Sequence, residues 1–368
     1  MVSEYLKQIR FYGLALVIYV ILNAAIWHLY THQLFDPIYY VGDLARLSYL
    51  SEYAQPRQQK NTLPKRQIFY HEWKGEPIDL ITMGDSFSTG GGLGTNNYYQ
   101  DWLATHHNLN VMDLPKLPNN ISTIETIHIL LNSGFLDAIS PKAILLEDIG
   151  REVAKKHGRK IRSYLHWSIN QIKSCYTLKT QAQPPAYSFL NSGNAKFLIN
   201  QFFYLFDDNA IFSQVYKTKL KQAVFSHNPD NTLLFHAEDI ENISLIQDKS
   251  VALVTQNLND LAALLAQKGI ALYYMPVVDK LALYHDHIQS AKYPKSLLFD
   301  KLKKYPRTYH LIDTQAILGA ALAEGEKDIF FLDDTHWTWK ACKRIAEAFV
   351  FSPISDPSMV KQILSTKP

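Results

Sequence analysis

Cysteine is scarce in this chain: Cys175 and Cys342 are the only two in 368 residues. Two thiols cannot build a disulfide framework or a thiolate metal centre. Charge is also in short supply, at 19% of residues against roughly 25% in typical soluble domains, a deficit that one membrane segment helps to explain. The 37 basic residues nearly cancel the 34 acidic ones, and a net +3 gives no drive toward nucleic acid or other polyanions. Internal repeats and low-complexity tracts are missing. So are the phosphate-binding patterns: there is no G-x-x-x-x-G-K-[ST], and Gly92-x-Gly94-x-x-Asn97 lacks the third glycine of a dinucleotide fingerprint. What the chain does have is apolar material, 47% hydrophobic and 12% aromatic, enough for a sizeable core and incompatible with a disordered chain.

The longest apolar run is Phe11–Tyr30, which carries no charge and only Asn23 and His28 as strongly polar residues. A helix of that length spans roughly 30 Å, the thickness of a bilayer's hydrocarbon core. Lys7 and Arg10 precede it, and no Lys or Arg follows until Arg46, so the positive-inside rule puts residues 1–10 in the cytoplasm and everything after about residue 31 outside. A cleaved signal peptide is the competing reading, but Asn23-Ala24-Ala25 is a poor small-x-small site and the run is long for a signal core. The expectation is therefore an uncleaved single-pass anchor at 11–30 in the cytoplasmic (inner) membrane. The rest then lies outside, in the periplasm if the cell is Gram-negative. In that oxidising space Cys175 and Cys342 can either pair or stay as two thiols.

Beyond a linker or N-terminal extension at 31–77, strand and helix patterns alternate. Ile78–Gly84, Asn110–Leu114, Ala143–Ile149, Ile270–Val278 and His310–Asp313 have the form of buried strands. Helices are expected near Tyr98–His106, from Ser122-Thr-Ile-Glu125 (a capping box) to about Leu131, and over Val251–Gln267, Thr314–Glu324 and Lys340–Phe351. Such alternation predicts a mostly parallel sheet between helical layers, a flavodoxin-like α/β/α sandwich over 78–368. An insertion at 152–250 breaks the rhythm and reads as a cap. It contains a basic run, Lys155–Arg162, ordinarily a solvated face but also suited to anionic lipid or acidic glycan. It also contains KFLINQFFYLF at Lys196–Phe206, which reads first as cap core and second as a surface docking on a membrane or an integral partner.

Two motifs carry chemistry. Gly84-Asp85-Ser86-Phe87-Ser88 follows the first strand directly, where functional loops gather in open α/β sheets. A serine in that turn can project its hydroxyl into a crevice, with turn amides beside it as oxyanion donors. Asp333-Asp334-Thr335-His336-Trp337 precedes the last helix. A serine hydroxyl needs a base, imidazole is the usual one, and a carboxylate two or three residues earlier can fix the imidazole's tautomer. Either motif alone is an ordinary turn or a helix-capping loop; their conjunction is the signal.

That conjunction resembles the SGNH (GDSL-type) hydrolase superfamily, over roughly 78–150 and 251–350. More narrowly it is similar to a membrane-anchored extracytoplasmic branch that includes alginate O-acetyltransferases and related cell-envelope polysaccharide acylation proteins. The resemblance implies Ser86 as nucleophile, His336 as base and Asp334 as its acid, with Asp333 as the rival acid because the broader superfamily spaces the pair Asp-x-x-His. Glu147-Asp148-Ile149-Gly150-Arg151 is similar to that branch's E-x-x-E-R element, with Gly150 in place of the second glutamate. The superfamily's G-x-N-D block, with its asparagine oxyanion donor, does not occur there. Asp85, Gly91, Arg151, Asn119 and Asn120 are candidates to line the site or hold the oxyanion. Lys280 is a candidate for the crevice rim, with a surface ion pair as its ordinary alternative, and Trp337 for the pocket wall or the packing under the histidine. The alginate enzymes carry Asp-x-His before Ser, the reverse of the order here. The activity implied is serine O-acyl transfer, acetyl transfer foremost, to an extracytoplasmic polysaccharide. An acetylesterase and a non-catalytic glycan-binding assembly factor are the alternatives. No cofactor or metal is implied. The partners implied are the polysaccharide acceptor and a membrane-bound O-acyltransferase protein that supplies the acyl group across the bilayer.

Overall fold

The computed structural model describes residues 2–35, 41–55, 57, 63–89, 97–177, 189–211, 213–228 and 230–354. Six strands form one fully parallel sheet in the order β1-β3-β2-β4-β7-β8. They are β1 Ile68–Phe69, β2 Leu80–Met83, β3 Val111–Asp113, β4 Ala143–Ile149, β7 Ala271–Val277 and β8 His310–Leu311. A separate antiparallel hairpin pairs β5 Val215–Lys219 with β6 Thr232–His236. From β3 to β8 the order is that of flavodoxin-type sheets, with β1 added at one edge. Helices Tyr99–His106, Thr314–Ala323 and Trp339–Ala348 pack together on one face. Thr123–Asn132, Gly150–His157 and Asp248–Ala266 pack on the other.

The local chemistry explains the elements. β2, β4 and β7 are buried along their whole length, as continuous apolar runs covered on both faces must be. The Ser122 capping box forms, with the Glu125 amide donating to Ser122 Oγ at 3.2 Å and the Ser122 amide to the Glu125 carboxylate at 3.0 Å. The chain crosses from β2 to β3 on one side of the sheet and from β3 to β4 on the other, so the topological switch point lies between the carboxyl ends of β2 and β4.

At the N-terminus, helix Val2–Ile26 runs on through a π-helical turn, Trp27–Thr31, into His32–Phe35. Ser3–Leu34 is long and apolar enough to cross a membrane, and only 11% of its most apolar window is buried within the protein. Cys175 and Cys342 are both free thiols, one half-buried and one buried. The Lys196–Phe206 segment is not cap core. It forms helix Ser192–Phe203 and the turn after it, with Phe197 buried but Leu198, Phe202, Leu205 and Phe206 each more than half exposed. Most of the basic run is engaged within the protein: Lys155 pairs with Glu238, Lys156 with Asp85, Asp148 and Glu152, and Arg162 with Glu125.

Candidate active site

The serine turn is built by the sheet. Gly84 ends β2 so close to β4 that a Cβ there would lie 2.1 Å from Glu147 Oε2 and 2.2 Å from Ser88 Oγ. Glu147 Oε2 accepts from the Asp85 amide at 3.0 Å and from Ser88 Oγ at 2.8 Å, and Ser88 also contacts the Tyr99 hydroxyl at 2.9 Å. Burial, then the charges of Asp85 and Asp148, pushes the Glu147 carboxyl well above its ordinary range. The Asp85 carboxylate accepts from the Phe87 amide at 3.2 Å and the Ile149 amide at 3.0 Å, tying the turn to the end of β4. Ser88 and Asp85 thus face inward, while Ser86 between them is exposed. The Ser86 amide has no intrachain acceptor among the described residues, which leaves it available as an oxyanion donor.

The histidine arrives from the loop before the last helix, 250 residues away. His336 Nε2 lies 2.7 Å from Ser86 Oγ, and His336 Nδ1 lies 2.6 Å from Asp334 Oδ1. With Nδ1 protonated toward Asp334, Nε2 accepts from the serine hydroxyl, the geometry of a serine triad. Burial pulls the imidazole down, but the hydrogen bond and charge of Asp334, with Asp43 and Asp85 behind it, outweigh burial and hold it above its ordinary value. Burial likewise pushes Asp334 up, yet His336 and Arg57 together hold it well below the usual carboxylate range.

Asp333 has a different role. Its carboxylate accepts from the Gly42 amide at 3.0 Å, the Gln55 amide at 3.1 Å and Arg57 Nη1 at 2.6 Å, and it makes no bond to His336. Arg57 Nη2 reaches Asp334 Oδ2 at 2.7 Å, so one guanidinium clamps both aspartates. Asp43 accepts from the Thr335 amide at 2.7 Å and the Thr335 hydroxyl at 2.6 Å. Gly42 is required here, since a Cβ would lie 2.1 Å from the Asp333 carbonyl oxygen. Oxygens of Asp43 and Asp334 and a His336 nitrogen fall within 4.8 Å of one another, a spacing a cation could bridge. Those atoms are already engaged by Thr335, by Arg57 and by each other, and a guanidinium beside the carboxylates fits an ion-pair network better than a metal centre.

Several candidate residues lie elsewhere than expected. Lys280 is at neither the rim nor the surface. It is buried, and its ammonium donates to the carbonyls of Phe331, Leu332 and Asp334 at 2.9, 3.0 and 3.1 Å. Burial lowers its pKa to about 8. Trp337 does not line an open pocket: it is fully buried, with its ring edge-on to Phe87 at 4.9 Å, and Phe87 packs on the His336 ring at 4.8 Å. Arg151 turns away from the serine to Asp239 at 3.1 Å and Glu238 at 3.7 Å. Asn119 and Asn120 occupy an exposed left-handed turn, where the Asn120 carbonyl accepts from Arg162. Gly91 lies outside the described residues. Arg57, Asp43 and Gly42 escaped sequence reasoning because the segment that holds them reads as a linker. Glu147 carried a signal, a carboxylate inside a strand that is buried along its whole length.

The flavodoxin-type sheet thus carries an exposed serine after its first central strand, met by an Asp-x-His loop before the last helix, an arrangement similar to that of SGNH hydrolase-like domains. In agreement, residues 232–353 match the family model described as the SGNH hydrolase-like domain of the acetyltransferase AlgX. The match runs from β6 past the last helix and contains Asp334 and His336, while Ser86 lies upstream of it. No curated protein and no solved structure matches the chain.

Proposed function

We propose that this chain is a membrane-anchored serine O-acyltransferase that moves an acyl group, an acetyl group foremost, onto a hydroxyl of an extracytoplasmic polysaccharide. The observation that carries the reading is the contact of His336 Nε2 with Ser86 Oγ in a chain whose C-terminal third matches an acetyltransferase domain. In the first half-reaction Ser86 Oγ attacks the acyl carbonyl as its proton passes to His336 Nε2. The tetrahedral oxyanion faces the Ser86 amide, and the bond to the donor's leaving group breaks as His336 returns the proton to it. In the second, the acceptor hydroxyl gives its proton to His336 and attacks the acyl-serine; the proton then returns to Ser86 as it departs. Asp334 keeps Nδ1 protonated and stabilises the imidazolium in both halves.

The apolar helix at 3–34 supports an inner-membrane anchor with the sheet domain outside. Acyl thioesters are cytoplasmic, so this placement requires a supplier of acyl groups across the bilayer, for which a membrane-bound O-acyltransferase is the fitting class of partner. The test supplies full-length protein with an activated acetyl ester, with and without acetyl-free polysaccharide fragments. Acetyl appearing on the fragment is the expected result. Free acetate alone, at a rate indifferent to the fragment, would make the chain an esterase.

A further inference from the structure

The helix Ser192–Phe203 is fastened to the outer end of the apolar N-terminal helix by a polar lock. Thr31 Oγ1 donates to Asn194 Oδ1 at 2.6 Å, and Asn194 Nδ2 donates to Asn23 Oδ1 at 3.1 Å, all three residues being buried. Beside this lock the Tyr30 and Phe197 rings stack at 4.9 Å. Asn23 lies seven residues before Tyr30, about 10 Å lower along a helix axis. If the N-terminal helix spans the bilayer, the first turn of Ser192–Phe203 therefore sits below the outer edge of the apolar layer. Asn23 Nδ2 in turn donates to the Tyr19 carbonyl at 3.0 Å, and amides whose polar atoms all find partners within the protein are the arrangement that depth demands, because lipid offers none.

The face this helix leaves open is apolar. Leu198, Phe202 and Leu205 follow at helical spacing, and with Phe206 and Ile211 each is more than half exposed. Phe202 and Phe206 contact one another at 5.2 Å. The patch adjoins the exposed Leu29 and Tyr30 of the anchor through the Phe197 stack, so it continues the anchor's own apolar surface. Lys196, exposed on the same helix, brings the positive charge that suits phosphate headgroups.

From this continuity we infer that Ser192–Phe203 and the turn after it lie in the headgroup and upper acyl region of the outer leaflet, a second, in-plane membrane contact that fixes how the catalytic domain sits on the bilayer. The inference rests on the spanning-helix reading, and its test separates the two. Full-length protein with Cys175→Ser is reconstituted in nanodiscs of phosphatidylethanolamine and phosphatidylglycerol. An environment-sensitive fluorophore is then placed singly at Leu198→Cys, Phe202→Cys or Phe206→Cys, at Leu16→Cys within the anchor, and at Val350→Cys, an exposed apolar site on the sheet domain. The three patch side chains are already exposed, so cysteine there removes little packing, and three sites prevent one failure from deciding the matter. The expected result is blue-shifted emission at 16, 198, 202 and 206, with loss of signal in lipids brominated on the upper acyl chain, and water-like emission at 350. Lipid-like emission at 16 with water-like emission at all three patch sites would overturn the second contact while sparing the anchor. Water-like emission at 16 would remove the anchor and this inference together. Patch labels shielded from water yet untouched by brominated lipid would assign the face to a protein partner and overturn the lipid contact.

Discussion

The serine turn and the histidine loop meet at 2.7 Å, but different forces hold them. The turn rests on the central strands: Gly84 fits against Glu147 where no side chain would, and the buried Glu147 carboxyl gathers the Asp85 amide and the Ser88 hydroxyl. The loop itself belongs to no strand of the large sheet. It is fixed by buried charge, with Lys280 on three of its carbonyls, Arg57 on both aspartates and Asp43 on Thr335. Close packing positions the nucleophile, and paired charges join the packing of Phe87 and Trp337 in positioning its base. Two of the three charged groups, Asp43 and Arg57, come from the segment just after the apolar helix.

Perturbing each side in turn sharpens that contrast, the largest expected effect first. Ser86→Ala is expected to abolish labelling by a fluorophosphonate and to lower turnover by a factor on the order of 10⁴ to 10⁶, with folding unchanged. Asp334→Asn is expected to lower turnover about 10⁴-fold by presenting the wrong imidazole tautomer. Asp333→Asn would instead lower the melting temperature and leave the shape of the pH–rate curve intact, because Asp333 touches Arg57 and not His336. Equal pH behaviour in the two aspartate variants would contradict the division of labour between them.

Next, Arg57→Ala strands two buried carboxylates, and removal of one partner from such a network costs about 3–5 kcal/mol, readable by denaturant titration. Gly84→Ala is expected to cost less, about 1–3 kcal/mol of overpacking, with loss of activity out of proportion to the loss of stability because the turn itself must move. If Arg57→Ala proves neutral, buried charge does not hold the loop. The smallest effect is on pH dependence. Catalysis needs neutral His336, so turnover should rise through a midpoint above the ordinary 6.5, and Asp334→Asn should move that midpoint down. The sign for stability is opposite. The His336–Asp334 pairing contributes fully below the imidazole's unfolded value and is lost as pH rises through the raised folded one. The catalytically competent form is therefore the less tightly held. Above about 8, loss of the Lys280 proton should slow the enzyme again, and Lys280→Met should erase that limb.

The parallel sheet could be read from the chain because buried strands and capped helices leave local patterns; the Ser122 capping box is an example, its two bonds formed as written. Ser86, Asp334 and His336 stand out because short motifs carry them. The supports do not, since Arg57 meets Asp333 across 276 residues and Gly42 meets it across 291, and no periodicity records a contact between distant loops. Lys280 misled for a related reason: a lysine after a strand reads as solvated unless its three carbonyl partners are known. The aromatic helix misled in the other direction. Its composition suits a core, and only packing reveals that Phe202 and Phe206 face outward.

The most direct test of acyl transfer through Ser86 is mass spectrometry of full-length protein quenched during reaction with an activated acetyl ester. Acyl transfer through Ser86 should leave one acetyl group on the peptide carrying Ser86, formed far more slowly in His336→Ala and discharged when acceptor glycan is added. Acetylation spread over surface lysines with Ser86 unmodified, while product still accumulates, would contradict it.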